Sequence, residues 1–365
     1  MLDAIGNTPL IHLKNLSDAL NRNIFGKAEF MNPSGSVKDR AAKFIIEDKI
    51  KSGELQIGGT LVEGTGGNTG ISLAMIGASN NYSVKIAMPE NIAIEKQNLI
   101  KRFGGELYLQ PLVPFTNPLN YARFAEDLVN KEIKNGNDSI IFCNQFENLA
   151  NFKSHYYGTG PEIMKDTNNN VTHFICSAGT GGTIAGISAY LKDNNPNIKS
   201  YLVDPDGSIL HDHIHKQLNV LDSTEGNSKK NERATSSIME GIGISRITSN
   251  FSCAKLDGSY QCCDQEAITM AYYLLKYEGL YLGPSAAMNV CGAVKLARDS
   301  PEGSNIVTIL CDGGERYSSK IYNEDWLKEH NFHIGLEYND NNNNNHNNKK
   351  TDDDDTKKRR LNFVQ

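Results

Sequence analysis

Seven short apolar runs, set apart by helix-like stretches, restrict what this chain can fold into more than any other feature. They are Thr60–Val62, Val84–Met88, Leu107–Leu109, Ile140–Cys143, His173–Cys176, Tyr201–Val203 and Ile306–Leu310. Several are almost unbroken in apolar residues, as expected of parallel strands buried on both faces. Helices are expected after Ser36, Asn68, Ala93, Asn120, Thr183, Asp264 and Ala286. Such alternation predicts an α/β fold with mostly parallel sheets. The chain has 365 residues, enough for about two domains.

Hydrophobic residues make up 39% of the chain and the formal net charge is −6. The first suffices for a core. The second counts against a nucleic-acid or membrane surface, since both need a basic face. No apolar run approaches the ~18 residues of a membrane span. The start, Met1-Leu2-Asp3-Ala4-Ile5, lacks leader character. Seven scattered Cys, none in C-x-x-C spacing, read as reduced thiols. A cytoplasmic protein is therefore expected. Residues Asp222–Ser237 are polar and read as an exposed loop. The Asn/Asp-rich tail, 336–365, has too little apolar surface to offset its ordering entropy and is expected to be disordered. Lys357–Arg360 reads as solvated charge within it. His211, His213 and His215 invite a metal reading and read as a solvated loop end, because no Cys or carboxylate set with ligand spacing accompanies them. Cys262-Cys263 reads as structural.

Four segments carry chemistry. In Asn32-Pro33-Ser34-Gly35-Ser36-Val37-Lys38-Asp39-Arg40, a turn leads into a helix whose first turn holds Lys38. A cation is misplaced at that end of the dipole. The position, helped by Arg40, favours the neutral amine that attacks an aldehyde. An ordinary exposed lysine is the competing reading. In Glu63-Gly64-Thr65-Gly66-Gly67-Asn68-Thr69-Gly70, glycines and neutral donors at a helix start suit a carboxylate. In Gly179-Thr180-Gly181-Gly182-Thr183, a glycine cradle opens a helix. It lacks the G-K-[ST] of a P-loop and the last glycine of G-x-G-x-x-G, so it suits a monophosphate rather than a nucleotide. In Gly283-Pro284-Ser285-Ala286-Ala287, Ser285 taken alone reads as an N-cap.

Together and in this order, these segments resemble fold-type II pyridoxal-5′-phosphate (PLP) enzymes of the cysteine synthase and cystathionine β-synthase family. The resemblance runs from Gly6-Asn7-Thr8-Pro9-Leu10 to Asp312-Gly313-Gly314-Glu315-Arg316-Tyr317. Between them lie Asn144–Asn148, Thr159–Ile163, Val203-Asp204-Pro205 and Glu240–Gly243.

The resemblance implies two three-layer αβα domains with PLP in the cleft. A smaller domain, 33–147, would be inserted into a larger one made of 1–32 plus 148–330. It implies that Lys38 carries PLP as an aldimine, Asn68 bonds the 3′-oxygen, Gly179 to Thr183 hold the phosphate, and Ser285 meets the pyridine nitrogen. Thr65, Gly66, Asn68, Thr69 and Gln145 would take the substrate carboxylate, and Gly241 would line the cofactor face. A neutral hydroxyl at Ser285 makes the ring a weaker electron sink than a carboxylate would, which favours loss of a β-substituent. The implied reaction converts O-acetyl-L-serine and sulfide to cysteine and acetate through an aminoacrylate. Cystathionine β-synthase, serine/threonine dehydratase and a non-catalytic serine acetyltransferase partner are the rival readings. Family members are commonly homodimers. Ala286-Ala287 departs from the bacterial S-x-G pattern, which is expected to narrow the pocket beside the ring.

Overall fold

The computed structural model describes residues 1–218, 237–336, 358 and 360–365. The polar stretch expected to form a loop thus lies outside the described residues, except for Ser237. Ten strands form two sheets. They are β1 (Leu10–His12), β2 (Asn23–Lys27), β3 (Thr60–Gly64), β4 (Ser83–Pro89), β5 (Glu106–Gln110), β6 (Ile140–Phe142), β7 (His173–Cys176), β8 (Lys199–Pro205), β9 (Gly258–Cys262) and β10 (Asn305–Ile309).

The six-stranded sheet runs β1-β2-β10-β7-β8-β9 and the four-stranded sheet β5-β4-β3-β6. All pairs are parallel except β1 with β2. All seven expected strands are present. The sequence reading missed β1, β2 and β9, which are short or polar. Each sheet has its own core. Ile24, Ile175, Val203 and Ile306 pack against the helix Pro284–Asp299. Leu61, Ile71, Ile86 and Ile100 fill the other. Among the described residues, no helix is long and apolar enough to cross a membrane.

Helices follow strands directly, so helix starts gather at the strands' C-terminal ends. The glycine turns make this possible. Gly67, with φ 127°, caps the helix Asn68–Asn80, and Gly181, with φ 86°, caps Gly182–Asn194. Any other residue at these φ values would be strained.

Two expectations need correction. His211, His213 and His215 lie on a helix, Leu210–Gln217, not on a loop end. The end of the tail is not free of structure. Leu361 and Val364 are 1% and 2% exposed and join the larger core. Composition averaged over the tail conceals this short apolar end.

Candidate active site

The lysine segment is held by the end of β10. Ser36 pairs with Asp312 in an isolated bridge, and Val37 N–H donates to Cys311 O at 2.9 Å. Lys38 then opens the helix Lys38–Lys51. The next residue locks the turn. Asp39 accepts from Ser34 N at 2.7 Å, from Ser72 Oγ at 2.6 Å, and from the Ser34 hydroxyl. Lys38 itself is half-buried. Its amine has no hydrogen bond or ion pair with any described residue. Arg40, expected to assist it, is engaged elsewhere. Its guanidinium bonds Glu29 at 2.8 Å and Glu162 at 2.7 Å.

The carboxylate-type loop lies beside this turn. Thr65 Oγ1 accepts from Gly67 N at 3.1 Å, which shapes the loop. Thr69 Oγ1 donates to Gln145 Oε1 at 2.6 Å, and Gln145 Nε2 donates to Gly64 O at 3.1 Å. Beneath them, Glu63 accepts the N–H groups of Gly64 at 2.9 Å and Gln145 at 3.0 Å. Burial pushes the Glu63 carboxyl up to about 8 despite those donors. Gly66 faces Gly241, since a Cβ on Gly66 would stand 3.6 Å from Gly241 N.

Asn68 is oriented by residues the motif reading did not assign. Its Nδ2 donates to Asp312 Oδ2 at 2.7 Å, and its Oδ1 accepts from Arg316 Nη1 at 2.7 Å. Both partners sit in the Asp312–Tyr317 segment, which served only to carry the resemblance. His155 was also missed. Its Nε2 lies 3.1 Å from Thr183 Oγ1. Burial, with Arg40 and Lys38 adding to it, holds His155 well below its ordinary range, so it is neutral.

The third segment is a cradle with no room for side chains. A Cβ on Gly179 would lie 2.0 Å from Gly241 O, and one on Gly182 would lie 2.1 Å from Asn151 Oδ1. Thr180 Oγ1 accepts from Asn151 Nδ2 at 2.8 Å. The Ser177 hydroxyl, buried at the cradle's entrance, has no partner among the described residues.

Ser285 completes the cluster. Gly283 is the N-cap, so Ser285 lies inside the helix and does not cap it. Gly283 N–H donates to Asp312 O at 3.0 Å, which ties this helix start to the same backbone that holds Ser36. The Cys311 thiol beside this helix start accepts from Asn289 Nδ2 at 3.3 Å. Burial pushes that thiol up to about 12, with Asp312 adding and Lys38 and Ser285 opposing. The turn before Lys38 and the helix start that holds Ser285 thus hang on adjacent residues, Cys311 and Asp312. Residues 1–312 match the family model described as "Pyridoxal-phosphate dependent enzyme".

The chain belongs to the pyridoxal-phosphate-dependent enzymes. It is 44% identical to the cysteine synthase of Dictyostelium discoideum, over 92% of this chain and 86% of the relative. It is 45% identical to cysteine synthase 1 of Emericella nidulans, over 90% of this chain and 85% of the relative. Among solved structures it resembles the O-acetylserine-dependent cystathionine β-synthase of Helicobacter pylori. The TM-score is 0.75 at 32% identity, covering 88% of this chain and 98% of that one.

The residues present fit PLP chemically. They offer one unengaged amine, a cradle of backbone amides with an unpartnered hydroxyl, and a neutral hydroxyl at the opposite helix start. No group of His, Cys, Asp or Glu among the described residues has metal-binding geometry. Ala286 and Ala287 are fully buried in the larger core.

Proposed function

We propose that this PLP enzyme is a cysteine synthase, joining sulfide to the β-carbon of O-acetyl-L-serine with release of acetate. The observation that carries this reading is that the turn before Lys38 and the helix start that holds Ser285 hang on the same two residues, Cys311 and Asp312. The names of its relatives support it. PLP, when bound, supplies an electrophilic aldehyde and a ring that draws electrons from the substrate Cα.

The chain's residues do the rest. Lys38 would hold the PLP aldehyde through its amine. The same amine is placed to take the Cα proton as general base and to return it. Gly179, Thr180, Gly181, Gly182 and Thr183 would hold the phosphate at a helix start. Asn68, turned by Asp312 and Arg316, would bond the 3′-oxygen. Ser285 would offer the ring nitrogen a hydroxyl rather than a carboxylate, a weaker support for electron withdrawal that suits loss of a β-substituent. Thr65, Gly66, Asn68, Thr69 and Gln145 would take the substrate carboxylate, and Gly241, which faces Gly66, would line the cofactor face. We assign 33–147 to the smaller domain and 1–32 with 148–330 to the larger.

Product analysis tests the proposal. Purified protein given O-acetylserine and sulfide should form cysteine and acetate. Formation of cystathionine from homocysteine in preference to cysteine would overturn it. That second reading is favoured by the names of the Helicobacter pylori neighbour and of a Dictyostelium discoideum cystathionine β-synthase, 35% identical over 93% of this chain and 64% of that relative. A homodimer in the cytoplasm, able to bind serine acetyltransferase, belongs to the same proposal. Sedimentation, cell fractionation and a pull-down with the acetyltransferase test those three points.

A further inference from the structure

The segment Arg360-Leu361-Asn362-Phe363-Val364-Gln365 ends a run of residues with almost no apolar content. Apart from two local turn bonds, its contacts are made more than sixty positions back along the chain. The Arg298 guanidinium donates to two of its carbonyls, Nη1 to Val364 O at 2.5 Å and Nη2 to Leu361 O at 3.0 Å. Gln365 N–H donates to Glu266 Oε1 at 2.7 Å. Glu266 is itself fixed, by Lys295 at 3.0 Å and by Cys263 N–H at 2.9 Å. Leu361 and Val364 are buried, the Phe363 ring stands 6.4 Å from that of Tyr273, and the Arg360 guanidinium lies 4.5 Å from the Tyr277 ring centre.

These are the features of peptide recognition. Apolar anchors enter pockets, a forked cation reads backbone carbonyls, and a fixed carboxylate reads a backbone N–H. The receptor consists of the helices Asp264–Tyr273 and Pro284–Asp299 and the π-turn Leu274–Glu278 between them. Six residues in a turn, with only two local backbone bonds, Leu361 N–H to Lys358 O and Val364 N–H to Leu361 O, cannot hold this shape alone, because ordering them costs about 1–2 kcal/mol each in backbone entropy. Their order comes from the groove.

We propose that this face is a peptide-binding groove and that residues 360–365 are its tethered ligand. The ligand class is a short apolar peptide of the pattern Leu-x-Phe-Val preceded by a basic residue. The tether raises the effective concentration of the peptide, so a modest intrinsic affinity keeps the groove filled. The groove lies near Arg298, thirteen residues along the same helix from Ser285. At 1.5 Å per residue that is about 20 Å. Filling it steadies the helix without touching the PLP site.

Three PLP-loaded proteins test this: the full chain, the full chain carrying Leu361→Asp and Val364→Asp, and a chain ending at 357. The two altered proteins should melt lower by on the order of 5 °C, with unchanged cysteine synthesis. The Gln365 amide should be protected from hydrogen exchange only in the unaltered chain. A synthetic peptide of residues 358–365 should restore the melting temperature of the shortened chain, and the same peptide with both Asp substitutions should not. Equal melting temperatures with freely exchanging tail amides would overturn the proposal. So would failure of the peptide to bind the shortened chain. A loss of Gln365 protection on dilution would assign the segment to a second copy and overturn the tethered arrangement. The doubly substituted full chain keeps the test open if the shortened one does not fold.

Discussion

Lys96 Nζ lies 2.6 Å from Glu240 Oε2 and 2.9 Å from Tyr317 Oη, and Lys96 is 1% exposed. Lys96 belongs to the helix between β4 and β5, and Glu240 immediately precedes Gly241. Burial would raise the Glu240 carboxyl, yet Lys96 and Lys320 hold it below its ordinary value. The stem of Lys96 also fills the space beside Gly67, where a Cβ would meet its Cδ at 2.6 Å. One side chain thus sets the carboxylate loop against the Gly241 segment. Lys96→Met should raise KM for the amino-acid substrate about tenfold with a smaller change in kcat. It should also destabilise, by less than the about 3 kcal/mol of a buried charge left alone, because Lys320 still pairs with Glu240 at 2.5 Å. Lys96→Arg should restore most of the stability. Steady-state kinetics with urea unfolding checks both effects, and an unchanged KM would refute the positioning role.

Lys38→Ala should abolish turnover and leave the fold intact. The amine bonds no described residue, so its removal strands no partner, and the stability change should stay within about 0.5 kcal/mol. A general base of this kind contributes on the order of 10²–10⁴ in rate. Residual activity above one hundredth of the original would argue against the assignment. The visible band of the bound cofactor should shift as well, because the lysine linkage is gone.

Gly179→Ala should weaken cofactor binding, because the new methyl would stand 2.0 Å from Gly241 O. Overpacking of this kind costs about 1–3 kcal/mol. Gly241→Ala meets nothing within 4 Å, but it must hold φ +83° and so is strained rather than crowded. PLP titration followed by absorbance separates the two, with the larger loss expected at Gly179.

Stability should fall with rising pH across the window set by Glu63. Its folded value of about 8 stands above the ordinary 4.5. Between those values the folded chain keeps a proton that the unfolded chain releases. The contribution of Glu63 is therefore complete below about 4.5, declines by at most about 1.4 kcal/mol per pH unit, and is gone above about 8. Glu162 works in the opposite sense and in another window. Burial would raise it, but Arg40 and Lys27 hold it at about 2, so its contribution is lost only as pH falls below 4.5 toward 2. Urea unfolding between pH 5 and pH 9 should show the Glu63 slope, and Glu63→Gln should flatten it.

Strands such as β6 and β7 were legible because burial on both faces demands apolar runs. β2 was not, since it contains Lys27. That lysine is fully buried because Glu162 at 2.9 Å and Asp166 at 2.8 Å neutralise it, and the nearer of these partners in sequence is 135 positions away. β9, Gly-Ser-Tyr-Gln-Cys, carries too little apolar pattern for an edge strand to be seen.

The sequence by itself determined the local chemistry. Glycine turns after strands, and a lysine and a serine at helix starts, follow from short-range backbone rules. Tertiary structure alone decided what orients them. Asn68 is turned by Asp312 and Arg316, 244 and 248 positions away, and Glu240 reaches Lys96 across 144. The last six residues look like more of a polar tail until Arg298 and Glu266 supply their partners. Hydrogen bonds and burial depend on distance in space, which local sequence does not encode.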